Sequence, residues 1–269
     1  MKDQKLITTI DRRGVLRLTM NRPDVRNAFD EELIDDICNA MGRANGDNTV
    51  RAVVLTGAGK VFSAGADLNM MRRVADYSSA ENKNDARRLA HMLASIHDCH
   101  KPVIALVNGP ALGGGVGIAA ACDIALVAEE AFFSLSEVRL GLIPAVISPF
   151  VVRAIGPREA RRWFLTGERF DAETARRLHL AHMVAMGAQL EATLEGLLEN
   201  LLASGPDAQR ESKDLIKAVS HKPINDALLE DVAGRIARVR ASDEGREGIS
   251  SFLEKRKPNW IQDSDRSDD

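Results

Sequence analysis

Cysteine is scarce. The 269 residues hold three, Cys38, Cys99 and Cys122, widely separated and never in a CxxC pair. So sparse and odd a set supports neither a disulfide framework nor a zinc site, and it reads as reduced core thiols in a reducing compartment. An excess of positive charge is missing too. The formal net charge of −3 and an isoelectric point near 6.1 argue against a general surface for nucleic acid or anionic membrane. The N-terminus, MKDQKLITTIDRRG, carries acidic residues and no apolar run, so it shows no secretory signal or transit peptide and the expectation is a cytoplasmic protein.

Several nucleotide and nucleophile signatures fail as well. Around TGAGKVFSAGADL a P-loop is excluded, because Val54, five residues before Gly59, stands where its first glycine is required and Val61 where Ser or Thr is required. Around Ser63, Val61 also replaces the first glycine of a nucleophile elbow. Counting from Gly113 or Gly115, a dinucleotide fingerprint lacks its third glycine. His91, His97 and His100 fall on one helical segment without a carboxylate or cysteine arrangement that would make them a metal set.

What remains is an ordinary globular balance, 45% hydrophobic and 28% charged, in a chain long enough for one large domain or one with a smaller appendage. Its least charged stretch runs from Pro102 to Asp123. The β-branched run Val103 to Val107 reads as a buried strand, Asn108-Gly109-Pro110 and Gly113-Gly114-Gly115 as a turn, and the small residues up to Asp123 as a buried helix. Asn108-Gly109-Pro110 breaks any membrane-spanning helix, although Gly113 and Gly117 have the small-residue spacing of one. Consecutive glycines let a ligand approach main-chain N–H groups, and the helix start adds its positive dipole end, so the turn is a candidate oxyanion site. A tightly packed core turn is the alternative. Gly65-Ala66-Asp67 is a second small-residue turn that opens a helix.

Elsewhere, residues 5–20 read as a β-hairpin, Asp30 as the cap of a helix beginning at Glu31, and Val50 to Thr56 as a strand. Helical periodicity marks 77–100, Ala172 to Leu180, 188–203, 206–219 and 223–240. Arg22 and Arg26, on the loop NRPDVRNAFD, are either solvated charges or phosphate ligands. Glu137 lies in an apolar context, either as half of an ion pair with Arg139 or Arg153, the reading the residues alone favour, or as a base whose pKa its surroundings raise.

Taken together, NRPDVRNAF, SAGADL, KPVIALVNGPALGGG, CDIALVA, SEVRLGLIP, TGERFDAETA and FLEKRKP resemble the crotonase family of enoyl-CoA hydratases and isomerases, in that family's order and spacing as far as about Pro258. GGGVG, LSEVRLGLIPAVISPFVVRAIG and ADLNMMRR resemble the bacterial methylglutaconyl-CoA hydratase branch, which serves leucine and branched-isoprenoid breakdown. The resemblance implies an α/β fold, a spiral of ββα units over 1–200, with a helical trimerisation domain at 201–260; the composition of the last residues, DSDRSDD, reads as a disordered acidic tail at 261–269. The resemblance also implies trimers or paired trimers.

The resemblance further implies that the N–H groups of Ala66 and Gly114 hold the thioester oxygen of an acyl-CoA. Asp67 and Gly113 belong to the same two turns. Arg26 and Ala28 match the loop around the adenine and phosphates of CoA, Ala64 and Leu68 the pantetheine entry, and Phe252 and Lys255 residues that reach CoA from the C-terminal helix, often of a neighbouring subunit. Glu137 matches one of the two glutamates that hydratases of the family use. The other falls at Gly117, a departure that leaves open hydration by one carboxylate, Δ3-Δ2 isomerisation, or acyl-CoA binding without chemistry. Glycine at 117 is expected to make room for a branched acyl group, and Arg72, Arg73 or Arg139 to meet a distal carboxylate on it. No metal, nucleotide or flavin is implied, and coenzyme A arrives as part of the substrate.

Overall fold

A computed structural model describes residues 4–74 and 76–261; beyond Ile261, the tail expected at 261–269 lies outside the described residues. The chain opens with a hairpin of β1 (Leu6–Ile10) and β2 (Val15–Met20), registered with Leu6 opposite Met20. Asp30 then caps α1 (Glu31–Gly46), its Oδ1 accepting the Leu33 N–H at 3.0 Å. Leu33, Ile34, Ile37, Ala40, Met41 and Ala44 form the buried stripe of this helix.

Strand β3 (Ala52–Gly57) lies parallel to β2 and is buried at every residue. The short α2 (Leu68–Val74) follows, then α3 (Ser79–His97), started by a reciprocal capping box between Ser78 and Glu81. Strand β4 (Val103–Val107) is again buried throughout and leads through β5 (Ala111–Leu112) into α4 (Gly114–Ala121), which is eight residues long and packed inside the protein. Full burial is what a parallel strand covered on both faces requires, and it explains why these runs do not alternate. After β6 (Ile124–Ala128) and β7 (Phe132–Ser134) comes α5 (Ser148–Thr166), kinked where Gly156 has φ +74 and Pro157 follows.

β8 (Arg169–Asp171), α6 (Ala172–Arg177) and β9 (Met183–Ala185) complete the α/β part, and α7 (Leu190–Ala203), α8 (Pro206–Val219), α9 (Asp226–Ala241) and α10 (Asp243–Glu254) follow. The main sheet has the order β1-β2-β3-β4-β6-β9 and is parallel beyond the hairpin. After β4 the chain leaves this sheet, and β5 pairs with β7, and β7 with β8, in a second small sheet. That excursion puts the start of α4 beside the loop that leaves β7.

Helices α8 and α9 bury no residue, Ile216, Leu229, Ile236, Phe252 and Leu253 stand exposed on the last three helices, and Ile224 is exposed on the loop between α8 and α9. No helix among the described residues is long and apolar enough to cross a membrane.

Candidate active site

Two turns meet at the centre of the molecule. In the first, Phe29 and Ala66 form a parallel bridge: the Phe29 N–H donates to the Gly65 carbonyl at 2.7 Å and the Asp67 N–H to the Phe29 carbonyl at 2.8 Å. These bonds leave the N–H of Ala66, between them, facing the other way. In the second, the Leu112 N–H donates to the Ser63 carbonyl and the Gly113 N–H to the Ser134 carbonyl, both at 2.9 Å. Gly113 has φ +49 and ψ −115, a conformation open to glycine, and Gly114 is the first residue of α4. A Cβ on Gly65, itself at φ +84, would stand 2.9 Å from the Leu112 carbonyl oxygen and 3.5 Å from the Gly114 nitrogen. The turns are in contact. Among the described residues, neither the Ala66 nor the Gly114 N–H has a protein acceptor.

Buried polar groups hold the first turn. Asn27, fully buried at φ +54, accepts from the Arg22 N–H through Oδ1 at 2.9 Å and donates from Nδ2 to the carbonyls of Ala58 and Val61 at 2.9 and 2.7 Å. Its carbonyl takes the Ser63 hydroxyl at 2.8 Å, and Ser63 Oγ takes the Gly65 N–H at 3.2 Å. The Arg22 guanidinium reaches Asp67 Oδ2 at 2.8 Å and Asp30 Oδ2 at 3.2 Å, while Asp67 Oδ1 accepts the Asn69 N–H at 2.7 Å. Burial pushes the Asp67 carboxyl up, but the Asn69 N–H and Arg22 outweigh it and hold it below the usual range.

Glu137 opens from the one-turn 3₁₀ helix Ser136–Leu140 that follows β7. Its Oε1 lies 3.1 Å from where a Cβ on Gly113 would be, and its Oε2 is shut off from solvent with no hydrogen-bond partner among the described residues. The ion pair that the residues alone favour does not form. Arg139 Nε donates to the Thr166 carbonyl at 3.4 Å, and Arg153 Nη1 lies 3.1 Å from His97 Nε2. Burial raises the Glu137 pKa, opposed only by its own backbone N–H. A carboxyl that holds its proton longer than usual, beside two outward N–H donors, can move a proton next to an oxygen that is gaining charge.

The model of the enoyl-CoA hydratase/isomerase family matches residues 11–263. The chain belongs to this family. It is 33% identical over 248 residues to the 2,3-dehydroadipyl-CoA hydratase of Escherichia coli K12, covering 91% of this chain and 94% of that protein. It is 34% identical over 241 residues to the enoyl-CoA hydratase ACTT6 of Alternaria alternata, covering 89% and 78%. The crystal structure of an enoyl-CoA hydratase from Shewanella pealeana matches with a TM-score of 0.92 at 40% identity, covering 96% of this chain and 97% of that one. The fold is the crotonase fold, as the sequence motifs lead one to expect.

Within this enoyl-CoA hydratase/isomerase frame, the structure brings Ala64, Ala66, Gly113, Gly114 and Glu137 together. Arg26 and Ala28 flank Asn27, with Ala28 buried, Arg26 exposed at φ +56, and the Arg26 carbonyl accepting the Ala64 N–H at 2.9 Å. Leu68, 70% exposed, opens α2 directly after Asp67.

Three expectations need correction. Asp67 does not face a ligand, because Arg22 and the start of α2 engage both of its oxygens. Arg22 is correspondingly no phosphate ligand. Nor does Gly117 leave room for an acyl branch: a Cβ there would meet Ile147 Cγ2 at 2.3 Å, so Ile147 already fills the space.

Phe252 and Lys255 are not among the residues gathered at the turns. Helix α10 packs on α9 and α8, and Phe252 is 82% exposed. Asn27 escapes the sequence reading and Ser63 enters it only as a rejected nucleophile, though NRPDVRNAF and FSAGADL contain both. Two consecutive left-handed residues at Arg26 and Asn27 are the local feature that needs such a staple, and no periodicity announces them.

Proposed function

We propose that this protein is an enoyl-CoA hydratase acting on a carboxylate-bearing 2-enoyl-CoA. The juxtaposition of the Glu137 carboxylate at Gly113, its Oε2 unpartnered among the described residues, with the free N–H groups of Ala66 and Gly114 carries the reading. In this scheme the two N–H groups hold the thioester oxygen. Ionised Glu137 takes a proton from water as the water oxygen bonds to C3, and the electron pair of the C2–C3 double bond moves onto the thioester as an enolate. Glu137 then returns the proton to C2 as the enolate collapses, so the sum is the addition of one water. Losing one such donor typically costs about 2.7 to 4 kcal/mol of transition-state stabilisation. Coenzyme A enters as part of the substrate, and the scheme calls on no resident cofactor.

The arginines narrow the acyl group. Arg73 is paired with Glu31 at 2.7 Å and Arg139 turns to the Thr166 carbonyl, whereas exposed Arg72, among the described residues, is bonded only within its own turn, to Asn69 Oδ1 at 3.0 Å. In this reading Arg72 meets a distal carboxylate, as on a methylglutaconyl or dehydroadipyl chain, the latter being the acyl group in the name of the Escherichia coli relative. The exposed apolar residues of α8 to α10 support assembly with further copies as a trimer or a pair of trimers, which would offer Phe252 and Lys255 to a neighbouring site. A second reading, Δ3-Δ2 isomerisation, is favoured by one observation: Ile147 occupies the space at Gly117, leaving a single carboxylate.

Turnover of the purified protein with 3-methylglutaconyl-CoA, 2,3-dehydroadipyl-CoA, crotonyl-CoA and a 3-enoyl-CoA separates these readings, with the conjugated double bond as the signal. Its loss on the first two substrates supports the hydratase. Its appearance on the 3-enoyl substrate alone makes the protein an isomerase, and silence on all four overturns both.

A further inference from the structure

We propose that Ile147 is the residue that sets the size of the acyl group this site accepts, a proposal that rests on the acyl-CoA reading above. Gly113 and Gly117 lie one turn apart at the start of α4, the Gly117 N–H donating to the Gly113 carbonyl at 3.2 Å. Neither carries a side chain, so what lies over them comes from other elements. Over Gly113 stands the Glu137 carboxylate, with Oε1 3.1 Å from the missing Cβ. Over Gly117 stands Ile147, with Cγ2 at 2.3 Å and Cβ at 2.9 Å from the missing Cβ, and Leu93 Cδ1 lies 3.5 Å from the same point. Positions one helical turn apart are roughly 5 to 6 Å from each other, about the reach of three to four methylenes. An acyl chain whose C2 faces Glu137 and which extends along this face of α4 therefore meets Ile147 first.

The wall is fixed. Ile147 is 3% exposed, and its carbonyl accepts the N–H groups of Phe150 and Val151, both at 3.1 Å, so the first turn of α5 pins its backbone. A β-branched side chain also has little χ1 freedom with which to swing aside. The segment between Glu137 and Ile147 exposes Leu140, Leu142 and Ile143, at 62, 53 and 76%, an aliphatic stretch suited to a hydrocarbon chain. Leu93, fully buried and also within reach of a Cβ on Gly117, adds a second side chain there that cannot yield without opening the core.

The test compares the wild type with Ile147→Val and Ile147→Ala. The first readout is kcat/KM on straight-chain 2-enoyl-CoAs from butenoyl to decenoyl. The second is calorimetric binding of the matching saturated acyl-CoAs. The expected result is a graded change, Val between wild type and Ala, with the preferred chain longer in Ile147→Ala and the longest substrate gaining about tenfold relative to the shortest. Parallel loss across all lengths, which a merely structural role would give, overturns the proposal. Ile147→Val keeps the test open if the alanine variant does not fold. If the wild type turns over none of the substrates, the proposed reaction fails, and the binding series still decides the role of Ile147.

Discussion

The Glu137 carboxylate takes the place of a side chain on Gly113, its Oε1 3.1 Å from where the Cβ would stand. Gly113 is itself held at φ +49 and ψ −115, with its N–H on the Ser134 carbonyl, three residues before Glu137. One glycine therefore positions both the acid/base and the entry to α4. Gly113→Ala adds backbone strain on the order of 1 to 3 kcal/mol and pushes the carboxylate away from the neighbouring N–H groups. The expected kinetics are a fall in kcat with little change in acyl-CoA affinity, read from kcat and a directly measured Kd. An unchanged kcat would detach Glu137 from the chemistry.

Burial of Glu137 also makes a statement about stability. Because burial raises its pKa in the folded protein, the folded state keeps this proton to a higher pH than the unfolded chain does. Stability then declines as pH rises from the ordinary glutamate range through the raised value, and the loss is complete above it. Glu137→Gln removes that decline. The variant is expected to match the wild type at acidic pH, to exceed it in Tm at neutral pH, and to lose turnover at both. A lower Tm than wild type at neutral pH would mean that the carboxylate is stabilised by partners, contrary to the structure.

At Gly117 the expected effect is overpacking. A Cβ would sit 2.3 Å from Ile147 Cγ2, a branched side chain at 3% exposure that has nowhere to move. Gly117→Ala should therefore cost about 1 to 3 kcal/mol despite the better helix propensity of alanine. In an Ile147→Ala background the same change should cost much less or even stabilise, a coupling on the order of 0.5 to 3 kcal/mol in a denaturant double-mutant cycle. Simple additivity would show that the two residues do not touch.

The sequence carries the large elements because their signals are local. Asp30 announces α1, helical periodicity announces α3, and the uninterrupted apolar runs of β3 and β4 announce buried strands. The short strands β5, β7, β8 and β9 span two or three residues, too few for any period, and exist through pairing with distant partners such as Phe133 with Phe170. The two glycine turns and Glu137 were legible as chemistry. What glycine cannot reveal is its occupant: Gly113 faces a carboxylate and Gly117 an isoleucine, and both neighbours come from beyond residue 136. Asp67 shows the same limit, since a charge beside a turn reads equally well as ligand contact or as half of the pair with Arg22, 45 residues away.

That pair yields the last prediction. Arg22 and Asp67 are both largely withdrawn from solvent, with side-chain exposures of 16 and 6%, and Asp30 Oδ2 shares the guanidinium at 3.2 Å. Arg22→Met leaves Asp67 as a buried charge without its partner, a loss typically about 3 to 5 kcal/mol. Asp67 is held below the usual carboxylate range, so the stability it contributes is present above that range and is lost as pH falls through the depressed value. The gap between variant and wild type should accordingly be widest near neutral pH and close on acidification, as read by thermal denaturation. Arg22→Lys should recover part of it, since a single ammonium cannot serve Asp67, Asp30 and the Ala28 carbonyl together. Because Asp67 immediately follows Ala66, folded Arg22→Met should also lose kcat through the displaced N–H donor. Normal turnover in that variant would show that the Ala66 turn keeps its geometry without the ion pair.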